Sequence, residues 1–113
     1  MLAALPAHAT VYYVVVSGLG GEPDYEQRFT ALIKDVSKTL QESSGNVKVY
    51  ALSGAEATRA KVTEVMGQVA AQAKPDDDFL LLLIGHGTFD GVEYKFNLTG
   101  PDLSGADLAG LCD

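Results

Sequence analysis

Gly85-His86-Gly87 follows directly on the apolar run Phe79–Ile84, which has the length of a buried strand. In parallel α/β sheets, ligands collect beyond the carboxyl ends of the strands. A histidine at such a strand tip can serve as a general base near neutral pH. The flanking glycines leave its imidazole and the adjacent N–H unobstructed. The same residues also suit a histidine that ends a strand and bonds a loop carbonyl. Residue types alone leave both readings open.

Other groups are weaker candidates. Gly18-Leu-Gly-Gly21 follows a strand-like run, as a phosphate-binding turn would, but Pro23 and Asp24 stand where the third glycine of G-x-G-x-x-G belongs. Glu22, Asp24 and Glu26 would repel a phosphate, so a tight turn leading into a helix is the better reading. Asp76-Asp77-Asp78 lies at the amino end of the third strand and reads as a solvated turn. Asp90 could orient His86, although Phe89-Asp90-Gly91 favours a turn. Cys112 is the single cysteine, which excludes an internal disulfide and a CxxC metal site. It falls near the end of a short helical stretch and reads as a partly buried structural thiol. No metal and no cofactor is expected, the two histidines being far apart in sequence.

These residues need a frame, and the apolar pattern supplies one. Thr10–Val16 is β-branched and aromatic throughout, as a central parallel strand requires. Tyr25–Gln41 carries Phe29, Leu32, Ile33, Val36 and Leu40 at three- and four-residue spacing, one stripe of an amphipathic helix. Val47–Leu52 alternates and reads as an edge strand. Thr58 is an N-cap for a helix over Arg59–Lys74. Phe79–Ile84 is a third strand, Val92–Leu98 a short strand or hairpin arm, and Ser104 caps a last helix, Gly105–Cys112. The β-α-β-α-β order predicts an α/β fold with a three-layer parallel sheet, strand order 2-1-3, a short β insert and a final helix.

The chain has 113 residues, 47% of them hydrophobic, enough for one small domain with a real core. Its formal net charge of -7 and lack of a Lys/Arg cluster argue against nucleic acid as a partner. No apolar run is long enough to span a bilayer, so no membrane partner is expected. Residues 1–9, MLAALPAHA, end in the small-x-small pattern Ala7-His8-Ala9. They read equally as the remnant of a signal peptide, implying a periplasmic or secreted protein, or as a frayed Ala/Pro tail. The domain proper is 10–113.

Three segments together resemble the caspase/metacaspase/gingipain superfamily of cysteine peptidases. They are the first strand running into Ser17-Gly-Leu-Gly-Gly, the helix start Ala57-Thr58-Arg59 with Val62, and Asp77-Asp78 before the strand ending in Gly85-His86-Gly87. Gly-Leu-Gly-Gly-Glu-Pro-Asp-Tyr and Leu-Thr-Gly-Pro-Asp-Leu are similar to stretches of secreted bacterial caspase-like proteins. The resemblance covers Thr10 to about Leu111, the amino-terminal half of such a domain. It implies peptide-bond hydrolysis with His86 as the base and the Gly87 N–H as an oxyanion donor, on a peptide or protein substrate. It further implies that the loop after the first strand shapes the pocket, where Glu22 and Asp24 would favour a basic side chain. Asp24 is equally well explained as a helix N-cap. In that family the nucleophile ends a fourth strand, which Cys112 does not match, so the chain is expected to lack activity of its own. The alternative is a pseudo-peptidase or interaction domain. Open sheet edges would let the chain pair with itself.

Overall fold

The computed structural model describes residues 9–112. Residues 1–8, with most of the segment read as a signal remnant or tail, lie outside them, as does Asp113. The first strand, β1, spans Thr10–Ser17 and is followed by helix α1, Pro23–Gln41. Strand β2 spans Asn46–Leu52, and a 3-10 turn at Gly54–Glu56 leads to helix α2, Arg59–Gln72. Strand β3, Asp78–Ile84, completes a parallel sheet of order β2-β1-β3. The expected strand order therefore holds, with β1 central and in register Val14↔Tyr50 on one side and Val14↔Leu81 on the other.

Alternation along β1 sends its side chains to two cores. Tyr12, Val14 and Val16 are buried in one cluster with Val62, Val65, Met66 and Val69 of α2. Phe79, Leu81 and Leu83 of β3 pack against the same cluster. Val15 faces the other way and is fully buried, on the side where α1 packs and buries Ile33. The covering there is uneven: α1 lies over β1 and β2, and Leu32 and Leu80 remain about half exposed.

Helix starts follow local chemistry. The Thr58 Oγ1 accepts the Lys61 N–H at 3.1 Å, as an N-cap should. α1 begins two residues earlier than its apolar stripe predicts, because Pro23 sits at its first position with φ already set. Glu22 occupies the N-cap position, and Asp24 lies inside the first turn. The N-cap role expected of Asp24 is thus corrected.

Beyond β3 the insert is a second sheet. Strands β4, Gly87–Phe89, β5, Tyr94–Phe96, and β6, Leu103–Ser104, pair antiparallel in the order β4-β5-β6. The expected arm Val92–Leu98 contracts to β5, and β4 and β6 were not anticipated. Asp90 closes the β4–β5 turn by accepting the Val92 and Glu93 N–H groups, each at 2.9 Å. Its turn role displaces any role at His86. The last helix, α3, runs over Gly105–Cys112 as expected. It starts with a reciprocal cap: Ser104 Oγ accepts the Asp107 N–H and Asp107 Oδ2 accepts the Ser104 N–H.

Candidate functional site

Parallel pairing carries the ends of β1 and β3 to one edge, and the backbone shows how closely they meet. The Gly18 N–H donates to the Ile84 carbonyl at 2.8 Å. A Cβ on Gly85 would come within 3.2 Å of the Gly18 Cα and 3.0 Å of the Phe96 ring. Gly18 is tighter still, since its Cβ would collide with the Asn97 carbonyl oxygen. Close approach therefore excludes a side chain at Gly18 and crowds one at Gly85, with Phe96 of β5 laid across both.

Glu26 shapes the Gly-rich loop from within. Its Oε1 accepts the Gly20 N–H at 2.6 Å, so a carboxylate of the chain's own helix holds the loop N–H that an anion would need. Gly21 turns the chain with φ +83 and leads into α1. The geometry is that of a tight turn into a helix.

His86 stands at the carboxyl end of β3, exposed, beside this loop. Its ring is seated against α1: the Tyr25 ring meets it edge-on at 4.8 Å and the Phe29 ring at 5.2 Å. In the sequence Phe29 is legible only as one residue of an apolar stripe, and Tyr25 only as the start of that helix and the end of the Gly-rich stretch. Their placement one helical turn apart puts both rings on one face of α1.

An open hollow of about 660 Å³ lies at this edge. Its wall includes Leu19, Gly20, Gly21, His86, Gly87, Asn97 and Asp102. Glu22 and Asp24 are exposed and lie outside that wall. The acid brought into it is Asp102, which the sequence reading did not single out. The better-enclosed hollow between Thr10, Lys48 and Asp77 is lined by neither a histidine nor a thiol.

The direction of the Gly87 N–H follows from one hydrogen bond. The Asn97 N–H donates to the His86 carbonyl at 3.0 Å, turning that carbonyl toward β5. The peptide link is trans, so the N–H of Gly87 points the opposite way, out from the free edge of β4. An exposed imidazole and an outward N–H thus stand on consecutive residues.

The expected thiol is elsewhere. Cys112 is exposed at the end of α3, which packs against α2, whereas the imidazole is held by α1. The expectation of a partly buried thiol is corrected: α3 packs on the core through Leu108 and Leu111, and Cys112, the next residue, falls on its exposed side. Arg59 of the Thr-Arg pair is engaged by Asp107 at 3.1 Å and ties α2 to α3.

Asp77 also has its work defined. It accepts the Thr10 N–H at 2.8 Å and the Lys74 N–H at 2.8 Å, fastening β1 to the turn before β3. These bonds, that from Thr10 foremost, hold its carboxyl below the ordinary aspartate range. Among the described residues no three His, Cys, Asp or Glu side chains gather as a metal site, and no helix is long and apolar enough to cross a membrane.

No family model, curated protein or solved structure matches this chain.

Proposed function

We propose that the chain is the base-bearing part of a caspase-like cysteine-peptidase unit, with the thiol nucleophile supplied by a segment other than those described. The observation that carries this reading is the pairing of an exposed His86 imidazole with an outward Gly87 N–H at the carboxyl edge of a parallel sheet. In the chemistry that follows, His86 takes the thiol proton and the thiolate attacks the peptide carbonyl carbon. The oxyanion forms against the Gly87 N–H. The imidazolium returns its proton to the leaving amine, and water then releases the acyl group. The open edge of β3 offers the position for the strand bearing the nucleophile. Asp102, the acid in the wall of the hollow, makes the surroundings suited to a basic substrate side chain, whereas Glu22 and Asp24 lie outside that wall.

The test is hydrolysis of fluorogenic peptides. The chain alone is expected to turn over none. The full gene product, if it carries a second cysteine at a strand tip, is expected to cleave, and His86→Ala to slow it by about 10²–10⁴-fold. Cleavage unaffected by His86→Ala would refute the role of His86. Turnover by the chain alone, abolished by Cys112→Ala, would refute the need for another nucleophile.

A second reading, an interaction domain without catalysis, is favoured by one observation: the single cysteine is carried by α3, away from the α1 side that holds His86. A gene product with no strand-tip cysteine and no turnover would select it.

A further inference from the structure

Asn97 touches every part of the edge. Its carbonyl accepts the Leu19 N–H at 2.9 Å and its N–H donates to the His86 carbonyl at 3.0 Å. One residue of the insert thus bridges the turn after β1 and the turn after β3. Its side chain is held in turn: Nδ2 donates to Asp102 Oδ2 at 3.0 Å and to Thr88 Oγ1 at 3.2 Å. The other carboxylate oxygen of Asp102 accepts the Leu98 N–H at 2.9 Å. Asp102 therefore grips both the side chain of Asn97 and the backbone just beyond it, and the gripped segment fixes the carbonyl that aims Gly87.

We infer that Asn97 and Asp102 are the positioning residues of this edge, holding the His86–Gly87 peptide in the orientation that turns the Gly87 N–H outward and keeps the imidazole on its aromatic seat. Two physical points carry this. Phe96 and the fully buried Leu98 anchor the chain on either side of Asn97, so what is left to fix there is the orientation of its peptide groups, and the bonds of its side chain and of the Leu98 N–H to Asp102 set that. A charge-assisted bond from a carboxylate is also stronger than one between neutral groups. Without the grip on Asn97, the His86 carbonyl is free to turn, and the N–H of the next residue turns with it.

The catalytic meaning of this device rests on the peptidase reading; the device itself does not. The 113-residue chain is therefore tested by backbone amide exchange and by NMR of the His86 ring, in the wild type and in Asp102→Ala. The Leu19 and Asn97 amides are expected to exchange about tenfold faster in the variant, while Val14 and Val15 in the central strand keep their rates. The His86 ring protons, which lie within the ring currents of Tyr25 and Phe29, are expected to move toward solvent values. A role in stability alone would speed Val14 and Val15 as well and leave the ring signals in place. If Asp102→Ala does not fold, Asn97→Ala reports on the same amides, and Asp102→Asn, which cannot accept both bonds, should show an intermediate effect. Unchanged exchange at Leu19 and Asn97, or unchanged His86 signals, overturns the inference. If these respond but His86→Ala leaves peptide cleavage by the full gene product intact, the clamp stands and the peptidase reading falls.

Discussion

At the scale of single residues, the glycines around His86 do different jobs, and substitution separates them. Gly18 is required by contact: any Cβ there meets the Asn97 carbonyl, an atom fixed by its bond to Leu19 and unable to move aside cheaply. Gly18→Ala is expected to destabilise by about 2 kcal/mol, the cost of overpacking against backbone, read from a urea midpoint. Neutral behaviour would mean that the second sheet shifts readily. Acid tests the three aspartates whose carboxyls are held low, Asp77, Asp90 and Asp107. The causes are backbone N–H bonds: from Thr10 and then Lys74 to Asp77, from Glu93 and then Val92 to Asp90, and from Ser104 to Asp107. A carboxyl that binds its proton less readily when folded gives stability that is fully present above its unfolded value. That stability is lost as pH falls through the lowered folded value. The urea midpoint should therefore hold steady from neutrality to about pH 5 and decline below about pH 4. Asp77→Asn should flatten that decline.

At the scale of elements, α2 contains a residue placed against its own helix. Gly67 lies mid-helix, exposed, with nothing within 4 Å of an added Cβ. Gly67→Ala is expected to stabilise by about 0.5–1 kcal/mol in chemical denaturation, since alanine loses less backbone freedom in a helix. A loss of stability would mean that this face of α2 is covered by something other than solvent. The three parallel strands and both long helices were legible because each spans several turns or pleats of one apolar pattern. Thr10–Ser17 and Asp78–Ile84 carry near-continuous apolar runs, and Thr58 and Ser104 announce their helices by chemistry. The second sheet was not legible for the opposite reason. β4 is three exposed residues beginning with a glycine, and β6 is two residues, too short for alternation to register. The imidazole's strand tip could be read from Gly-His-Gly. Its seat on Tyr25 and Phe29 could not, because the α1–His86 approach depends on where the helix packs. Asn97 and Asp102 were missed likewise: their bonds join two turns that only the sheet brings together.

At the scale of the molecule, the main sheet has two free edges among the described residues, and they are unequal. The edge at β2 carries Lys48, an exposed charge that discourages a further strand and is itself held by Gln72 at 2.9 Å. The edge at β3 reads Asp78-Phe-Leu-Leu-Leu-Leu-Ile84, with no charge after its first residue and no proline. By register Leu80 and Leu82 pair with Tyr13 and Val15, which puts them on the α1 side of the sheet. α1 lies over β1 and β2 there and leaves Leu80 about half exposed. An unpaired backbone ladder beside uncovered leucines is the arrangement that recruits another strand. In the proposed peptidase unit that strand carries the nucleophile. In the isolated chain the available partner is a second copy, joined edge to edge through β3. Sedimentation velocity over a concentration series should therefore show reversible association of the chain, and Leu80→Lys should suppress it by placing a charge on the exposed face of the open strand. The same substitution at Leu32, about half exposed on α1 but away from the ladder, should suppress it less. A chain that stays monomeric at all concentrations, or that associates equally well with Leu80→Lys, would show that the β3 edge is protected without a partner.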